Sequence, residues 1–257
     1  MEKAIKENQT PTPVPQSNLA IEIQHLKKSF GANEVLKDIS MKINKGENLV
    51  VLGKSGSGKS VLIKCMVRLI EPDDGTMEIL GENIEDLNGK ELNVMRKKIG
   101  FLFQSGALYD SMTVRENLLF PLRDSKKVLS EEKKRLVEEA LQNVGLEDTI
   151  DKMPSELSGG MRKRLGLART LILKPEIILY DEPTTGLDPI TSKEISELIL
   201  SIQKKYNTTS VIITHDIACA KITANKMVVF KDGGIAAEGT FNELEKSDDK
   251  WIRSFFE

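Results

Sequence analysis

The sequence predicts a mixed α/β fold that is interrupted by a helical insertion, and three observations support this prediction. The run Asn48–Leu52 is short, apolar and uninterrupted, as is typical of a buried parallel strand. Strand and helix patterns alternate between Ile177 and Phe230, which favours a parallel sheet with crossover helices. Between these two parts, the residues from about 105 to 170 follow mostly helical spacing.

The elements follow one another in a clear order. Two alternating segments, 19–26 and 39–43, predict strands that come before the apolar run Asn48–Leu52. Helical spacing then predicts a helix over Ser130–Val144, and Gly145 ends it. The other predicted elements are helices at 113–120, about 160–174, 191–205 and 217–223, and strands at 177–181, 210–214 and 227–230.

The two ends of the chain differ from this pattern. Residues 1–18 are polar, with prolines at alternate positions 11, 13 and 15, which predicts a disordered tail and leaves partner docking open. A single folded domain is expected over residues 19–257. Its last stretch, about 242–257, is predicted to be helical and either covers the core or binds a regulatory partner. The apolar residues of that stretch are Trp251, Ile252, Phe255 and Phe256.

Composition excludes several classes of protein. The chain has 257 residues, of which 39% are hydrophobic, too many for a disordered chain. The two cysteines, Cys65 and Cys219, lie in apolar settings and do not make a disulfide scaffold. The net charge is −2, from 37 Lys and Arg against 39 Asp and Glu, so no overall field gathers nucleic acid. No membrane span or signal peptide is visible, and we therefore expect a soluble, cytoplasmic chain whose membrane role would come through a partner.

A phosphate-binding loop follows the buried strand. Its residues are Gly53-Lys54-Ser55-Gly56-Ser57-Gly58-Lys59-Ser60, which match G-x-x-x-x-G-K-[ST] at every fixed position. Glycines let backbone N–H groups surround a phosphate, and the helix that follows adds its positive N-terminal end. Lys59 is expected to hold the β- and γ-phosphates, and the Ser60 hydroxyl to bind Mg²⁺. The alternative, a Gly/Ser turn with a chance lysine, does not account for the strand and helix on either side.

Two carboxylates follow a second buried strand. Asp181 and Glu182 come directly after Ile177–Tyr180. An acid at this strand end is placed to approach Mg²⁺, so Asp181 is the metal-side candidate. Glu182 would then polarise the attacking water. The alternative for either residue alone is a cap on the next segment.

The segment Leu157-Ser158-Gly159-Gly160-Met161 resembles the signature loop of the ATP-binding cassette (ABC) ATPases. The other motifs of that family follow in their expected order. Phe101–Gln104 resembles the Q-loop, Asp181–Thr184 resembles Walker B, and Gly186–Asp188 resembles the D-loop. Thr214-His215-Asp216 resembles the switch-histidine motif, and Phe30 occupies the place of the aromatic residue that stacks on adenine. The resemblance covers about residues 19–245.

This resemblance implies a fold with a RecA-like parallel sheet, an antiparallel β subdomain and a helical subdomain at about 105–170. It also implies ATP and Mg²⁺ as cofactors and ATP hydrolysis as the activity. Lys59, Gln104, Glu182 and His215 would be catalytic, with Glu182 activating water and His215 contacting the γ-phosphate. Ser60, Gln104 and Asp181 would face the metal. Phe30 would stack on adenine, although core packing is an open alternative for this ring.

The resemblance further implies a homodimer with composite sites. In this family the signature loop binds the ATP that the opposite subunit holds, a role that falls here to Ser158, Gly159 and Gly160. Two chains would then be needed for two sites. His215 also has a structural alternative. The second histidine, His25, lies in an edge-like strand and is expected to be structural.

A narrower resemblance rests on three features. The signature ends in Met161 where the commonest form has Gln, and it occurs together with Phe103–Tyr109 and Asp188–Thr191. These are similar to the ATPases of Mla-type lipid transport systems, which work with MCE-domain proteins. This similarity implies a separate membrane permease, small regulatory partners, phospholipid or other hydrophobic cargo, and a peripheral position on the cytoplasmic side of the inner membrane.

A soluble ABC ATPase without a permease stays open as an alternative. No basic stripe for nucleic acid is present, and we expect the short basic cluster Arg162-Lys163-Arg164 to be solvated or near phosphate. A GTPase would need Asn-Lys-x-Asp, and Asn225-Lys226-Met227-Val228 lacks the acid.

The small and apolar segment Gly106–Tyr109, with Met112, either receives a permease helix or packs internally.

Overall fold

The structure, a computed structural model, describes residues 18–123 and 129–257. The predicted N-terminal tail, apart from Asn18, lies outside the described residues. The described chain contains a four-stranded and a six-stranded sheet, with helices packed around the larger one. The mixed α/β prediction is confirmed.

The six-stranded sheet is built around the predicted apolar strand. Strand β3 (Asn48–Gly53) pairs in parallel with both of its neighbours. In all, four strands are parallel to β3, and β10 alone runs antiparallel at the edge, giving the order β10-β9-β3-β8-β7-β6. The bounds are Ile99–Leu102 for β6, Ile177–Asp181 for β7, Thr209–Thr214 for β8, Lys226–Lys231 for β9 and Gly234–Gly239 for β10.

The smaller sheet has the order β2-β1-β4-β5 and is antiparallel throughout. Its strands are β1 (Leu19–Phe30), β2 (Asn33–Asn44), β4 (Asp74–Ile79) and β5 (Glu82–Asn83). Strand β1 is central in this sheet, so the expectation that His25 lies in an edge-like strand is wrong. His25 instead adopts a left-handed φ of 53° at an irregularity of β1, and its exposed ring contacts Asp38.

The helices are α1 (Lys59–Met66), α2 (Gly89–Lys98), α3 (Val114–Leu119), α4 (Ser130–Val144), α5 (Gly159–Leu171), α6 (Pro189–Tyr206), α7 (Ile217–Thr223), α8 (Phe241–Glu245) and α9 (Lys250–Arg253). Helices α3, α4 and α5 lie between β6 and β7, in the part where helical spacing was seen. Gly145 ends α4 in a left-handed conformation, as predicted. Sequence periodicity missed β4, α2 and β10.

Alternate residues of β3 divide the core into two parts. Val50 and Leu52 pack into a cluster with α4 to α7, whereas Leu49 and Val51 pack into a second cluster with α1 and the antiparallel sheet. All four side chains are at most 1% exposed. Both faces of the larger sheet are therefore covered, which explains why its strands are continuously apolar instead of alternating.

The C-terminal stretch packs on the first of these clusters. Ile252 is buried in it, and Trp251, Phe255 and Phe256 lie against it. Trp251 and Ile252 lie on α9, and Phe255 and Phe256 follow it. With α8 before it, the predicted helical character is present in two short pieces. Within residues 18–123 and 129–257, none of the helices combines the length and apolar character that crossing a membrane requires.

Candidate functional site

The glycine-rich loop turns sharply between β3 and α1. Gly56 and Gly58 have φ values of 80° and 98°, in the left-handed region that favours glycine. A Cβ on Gly58 would lie 2.7 Å from the carbonyl oxygen of Val35, so close approach of β2 also requires a glycine there. Helix α1 begins directly after this turn at Lys59. The free N–H groups at its start therefore face the loop.

Lys59 lies folded into the loop. Its side chain is buried, and Nζ donates to the carbonyl oxygens of Gly53 at 2.8 Å and Lys54 at 3.0 Å. Burial lowers the pKa of the Lys59 ammonium, while the charges of Glu182 and Asp181 act in the opposite direction. A buried cation that is held by carbonyls alone gains strongly from an anion in the same place.

The predicted metal-side pair is in contact. The Ser60 hydroxyl donates to Oδ1 of Asp181 over 2.9 Å. Asp181 is the last residue of β7, and only 6% of it is exposed. Hydroxyl and carboxylate oxygens are ligands that Mg²⁺ accepts, with water and phosphate oxygens completing its shell.

Glu182 follows with a strained backbone. Its φ is 50°, which is uncommon for a residue with a side chain. The Glu182 N–H donates to the carbonyl of Ile213 at 2.9 Å, which ties it to β8. Its carboxylate accepts a hydrogen bond from the Thr185 hydroxyl at 3.1 Å and lies 2.8 Å from Nδ1 of His215. The two predicted catalytic residues that follow β7 and β8 are thus brought together.

A second contact joins the same two loops. The Thr184 hydroxyl donates to Oδ2 of Asp216 over 2.8 Å, and Asp216 also caps the start of α7. Neither Thr184 nor Thr185 was a predicted site residue. Both stand directly after the Asp181-Glu182 pair, and that position is the signal that would have found them.

Glu182, Thr185 and His215 line one cleft of about 480 Å³ together with most of the glycine-rich loop. Asp181, Thr184 and Asp216 are not among its lining residues. Gln104, which follows β6, is exposed and lines it with the other predicted catalytic residues. Strands β6, β7 and β8 are adjacent and parallel, so their carboxyl ends meet at one edge. The residues that line the cleft are Val35, Lys54, Ser55, Gly56, Gly58, Lys59, Ser60, Val61, Gln104, Glu182, Thr185 and His215.

The signature residues do not line this cleft. Ser158 caps α5, with its hydroxyl accepting from the N–H of Met161 at 3.3 Å, and Gly159 and Gly160 open the helix. A Cβ on Gly160 would lie 2.5 Å from Cγ2 of Thr191, so the approach of α6 explains this glycine. The separation from the cleft agrees with a site that a second chain completes.

Phe30 lies at the end of β1 and is 50% exposed. The core-packing alternative for this ring is therefore wrong. Lys28 places its Nζ 5.4 Å from the centre of the ring. Stacking on adenine stays a prediction.

The basic cluster differs from expectation. Lys163 is buried, with 7% of it exposed, whereas we expected the whole cluster to be solvated or near phosphate. The expectation of a solvated side chain is wrong for this residue, because helical geometry turns it toward the carbonyls of Gln104 and Glu182. Arg162 and Arg164 bond instead to the carbonyls of Leu157 and Val144.

The residues present fit a magnesium nucleotide. The loop offers a lysine ammonium, helix N–H groups and glycines in left-handed conformations, and the adjacent Ser60–Asp181 pair offers oxygen ligands. ATP with Mg²⁺ supplies the γ-phosphoryl group and neutralises its charge. The Glu182 carboxylate lines the same cleft, with His215 beside it.

Fold and donor set together define the class of protein, a P-loop nucleotide hydrolase. The chain belongs to the ABC transporter family, whose profile matches residues 36–185. It is accordingly an ATPase subunit that uses ATP and Mg²⁺.

Named relatives agree with this membership. The chain is 41% identical to the probable ribonucleotide transport ATP-binding protein mkl of Mycobacterium leprae, covering 92% of this chain and 68% of that protein. It is 36% identical to the chloroplast protein trigalactosyldiacylglycerol 3 of Arabidopsis thaliana, covering 93% and 74%. It is 39% identical to the methionine import ATP-binding protein MetN 2 of Enterococcus faecalis, covering 92% and 69%.

Solved structures are similar over most of the chain. A dimeric, post-hydrolysis structure of the ATP-binding cassette MJ0796 with ADP and Pi has a TM-score of 0.78 and 32% identity, covering 86% of this chain and 98% of that chain. The structure of cbiO1 from Clostridium perfringens, part of the transporter complex cbiONQ, has a TM-score of 0.83 and 29% identity, covering 93% and 94%.

Proposed function

We propose that this chain is the ATP-hydrolysing subunit of an Mla-type transporter, and that it energises a separate permease for phospholipid or another hydrophobic cargo. The observation that carries the cargo class is the signature ending in Met161, together with Phe103–Tyr109 and Asp188–Thr191. One relative, trigalactosyldiacylglycerol 3, carries the name of a lipid and supports this class.

Other relatives favour different cargo. The mkl protein is named for ribonucleotide transport and MetN 2 for methionine import. Ribonucleotide and methionine are thus the competing cargos. Each would require a permease of a different chemistry, because both molecules are polar whereas a phospholipid carries long acyl chains.

The working unit in this proposal is a homodimer with two composite sites. Lys59, Ser60, Asp181 and Glu182 of one chain hold ATP-Mg²⁺, and Ser158, Gly159 and Gly160 of the other face its γ-phosphate. Support comes from the position of the signature outside the cleft of its own chain and from the dimeric structure of MJ0796. Gln104 and His215 complete the catalytic set.

The permease contact is assigned to the surface beside Gln104. Tyr109 is 41% exposed and lies 4.4 Å, centroid to centroid, from the Phe120 ring, while Leu108 packs against the core. Tyr109 and Phe120 therefore present an aromatic face at the end of the Q-loop, and Leu108 serves packing. In this role the chain lies peripherally on the cytoplasmic side of the inner membrane, with MCE-domain and small regulatory proteins as further partners.

A soluble ABC ATPase without a permease is the second candidate. Copurification separates the two. A membrane complex supports transport, whereas association with ribosomes or DNA supports the second candidate.

The test is purification of the full chain from its own membranes in mild detergent, followed by mass spectrometry of proteins and lipids. We expect a permease, an MCE-domain protein and bound phospholipid. ATP turnover of the complex is then measured with phospholipid vesicles, methionine and a ribonucleotide in turn, with Glu182→Gln as the inactive control. Stimulation by methionine or the ribonucleotide alone would refute the lipid assignment.

A further inference from the structure

Lys163 is a buried cation on the signature helix. It lies on α5, one turn after Gly160, and is 7% exposed. Its Nζ donates to the carbonyl oxygen of Gln104 and, over 3.3 Å, to that of Glu182. One ammonium group therefore bridges the segments that follow β6 and β7.

A buried ammonium group is costly unless it is well bonded. Burial lowers the pKa of Lys163, and the charges of Asp181 and Glu182 oppose this effect. Both acceptors of Lys163 are main-chain carbonyls, and bonds from a charged donor to a carbonyl are stronger than neutral ones. The buried ammonium group of Lys163 thus holds two backbone positions, those of Gln104 and Glu182.

The backbone of Glu182 needs such support. A left-handed φ in a residue with a Cβ costs on the order of 1 kcal/mol and persists where neighbours over-determine it. The Glu182 N–H is held by Ile213, and its carbonyl accepts from Lys163 and also from the N–H of Thr185 at 3.3 Å. Of these three hydrogen bonds to the Glu182 main chain, only the one from Lys163 has a charged donor.

Gln104 is held in a complementary way. Its carbonyl bonds to Lys163, while the residue remains exposed at the cleft that contains Lys59 and Glu182. Lys163 thus holds the main chain of Gln104, while the Gln104 side chain stays available at the cleft. Lys163 does not itself line the cleft.

We propose that Lys163 is a positioning residue, which fixes the backbones of Gln104 and Glu182 from the signature helix. The inference rests on the roles proposed above for these two residues. Because α5 also begins with Ser158, Gly159 and Gly160, the same helix carries the contact to the opposite nucleotide and the support of its own catalytic loops. A shift of α5 is then passed directly to Glu182.

The test replaces Lys163 with Met, which keeps the length and removes the donor. In the purified full chain, K163M is expected to lower kcat by about 10- to 100-fold, since small misplacement of a catalytic group has that effect. ATP affinity, measured by calorimetry, is expected to change by less than about twofold, because the phosphate loop is not touched. K163R, which keeps a charged donor, is expected to recover most of kcat.

Arg164→Met is the matched control. Arg164 lies on the same helix and also bonds to a carbonyl, that of Val144, and to Glu194, away from the cleft. The Arg164→Met variant is expected to retain the kcat of the parent chain. Thermal unfolding of all variants identifies loss of fold, and if K163M does not fold, K163L, which also lacks a donor, replaces it with the same expectation for kcat and affinity.

Three results would overturn the inference. The first is parent-like turnover in the Met or Leu variant. The second is a loss of turnover that K163R and R164M share equally, and the third is a loss that follows ATP affinity. A parent chain that hydrolyses no ATP would instead contradict the hydrolytic function itself, so the two failures are distinguishable.

Discussion

Nδ1 of His215 lies 2.8 Å from Oε2 of Glu182, at the ends of two neighbouring parallel strands. A hydrogen bond from the ring to an ionised carboxylate requires a proton on Nδ1, because such a carboxylate only accepts. The same carboxylate oxygen accepts from the Thr185 hydroxyl. Glu182 is therefore oriented from two sides before any water is placed.

Glu182→Gln tests the role of this carboxylate. The amide retains the size of the side chain and removes the base, so turnover is expected to fall by at least about 100-fold. ATP binding is expected to persist and the dimer to be more stable, which calorimetry and size-exclusion chromatography with ATP measure. Near-normal turnover would exclude Glu182 as the water-activating residue.

Lys59→Ala provides the contrast to that variant. Loss of the buried ammonium leaves the phosphate without its cation, so ATP affinity itself is expected to fall by at least about tenfold. Lys64→Ala, on the same helix but outside the cleft, is the control and should bind ATP as the parent does. Unchanged affinity in the Lys59 variant contradicts the phosphate-loop assignment.

His215→Ala removes one of the two groups that orient Glu182. We expect kcat to fall by about 10- to 100-fold with ATP affinity nearly unchanged. The second histidine is a natural control, because the exposed ring of His25 contacts Asp38 in the antiparallel sheet and does not line the cleft. His25→Ala should have the kinetics of the parent, and equal effects of both substitutions would contradict a catalytic role for His215.

Phe30→Ala tests adenine stacking by the half-exposed ring. A base stacked on an aromatic side chain gains about 1–3 kcal/mol, so ATP affinity is expected to fall by roughly tenfold, while Phe30→Trp retains it. Tyr109→Ala removes another exposed aromatic ring, which is outside the cleft, and should leave ATP affinity unchanged. Parent-like affinity in the Phe30→Ala variant would mean that the base lies elsewhere.

Gly160→Ala tests the packing of the signature helix on α6. The added methyl meets Cγ2 of Thr191, and overpacking costs about 1–3 kcal/mol of unfolding free energy. Thr191→Ser removes that methyl and keeps the hydroxyl that donates to Asp188. In the Thr191→Ser background, Gly160→Ala is expected to be neutral or stabilising, because alanine favours a helix over glycine by about 1 kcal/mol.

Urea unfolding measures these differences. Gly89→Ala is the control for helix propensity, since Gly89 begins α2 with open space at its Cβ position. It should not destabilise the chain. If the serine substitution fails to relieve the Gly160 defect, contact with Thr191 is not the reason for that glycine.

The two thiols are expected to be unreactive in the folded chain. Burial raises the pKa of both Cys65 and Cys219 to about 11, and each side chain is at most 1% exposed. At pH 8 the thiolate is then about one part in a thousand. Labelling with a chromogenic disulfide reagent should be slow in buffer and reach both thiols in urea; rapid stoichiometric labelling of the folded chain would contradict their burial.

Local sequence was sufficient wherever a motif or a strong period was present. The glycine loop, the strand before it and the Asp181-Glu182 pair after β7 are determined by neighbours in the chain, so their positions were predicted correctly. The antiparallel strand β4 was missed, because its buried positions, Met77 and Ile79, are too few for a strong alternation. Helix α2 was missed for a similar reason, since its buried residues are Leu92 and Met95.

By itself, the sequence determined the family, the fold class and the local positions of the glycine-rich loop and the Asp181-Glu182 pair. Each of these follows from residue type and spacing within short segments. Only the tertiary structure decided that Lys163 is buried against Gln104 and Glu182, that Phe30 is exposed, and that β1 is central so that His25 is not on an edge. The physical reason is that burial and bonding partners depend on which distant elements pack together, and no local pattern contains that information.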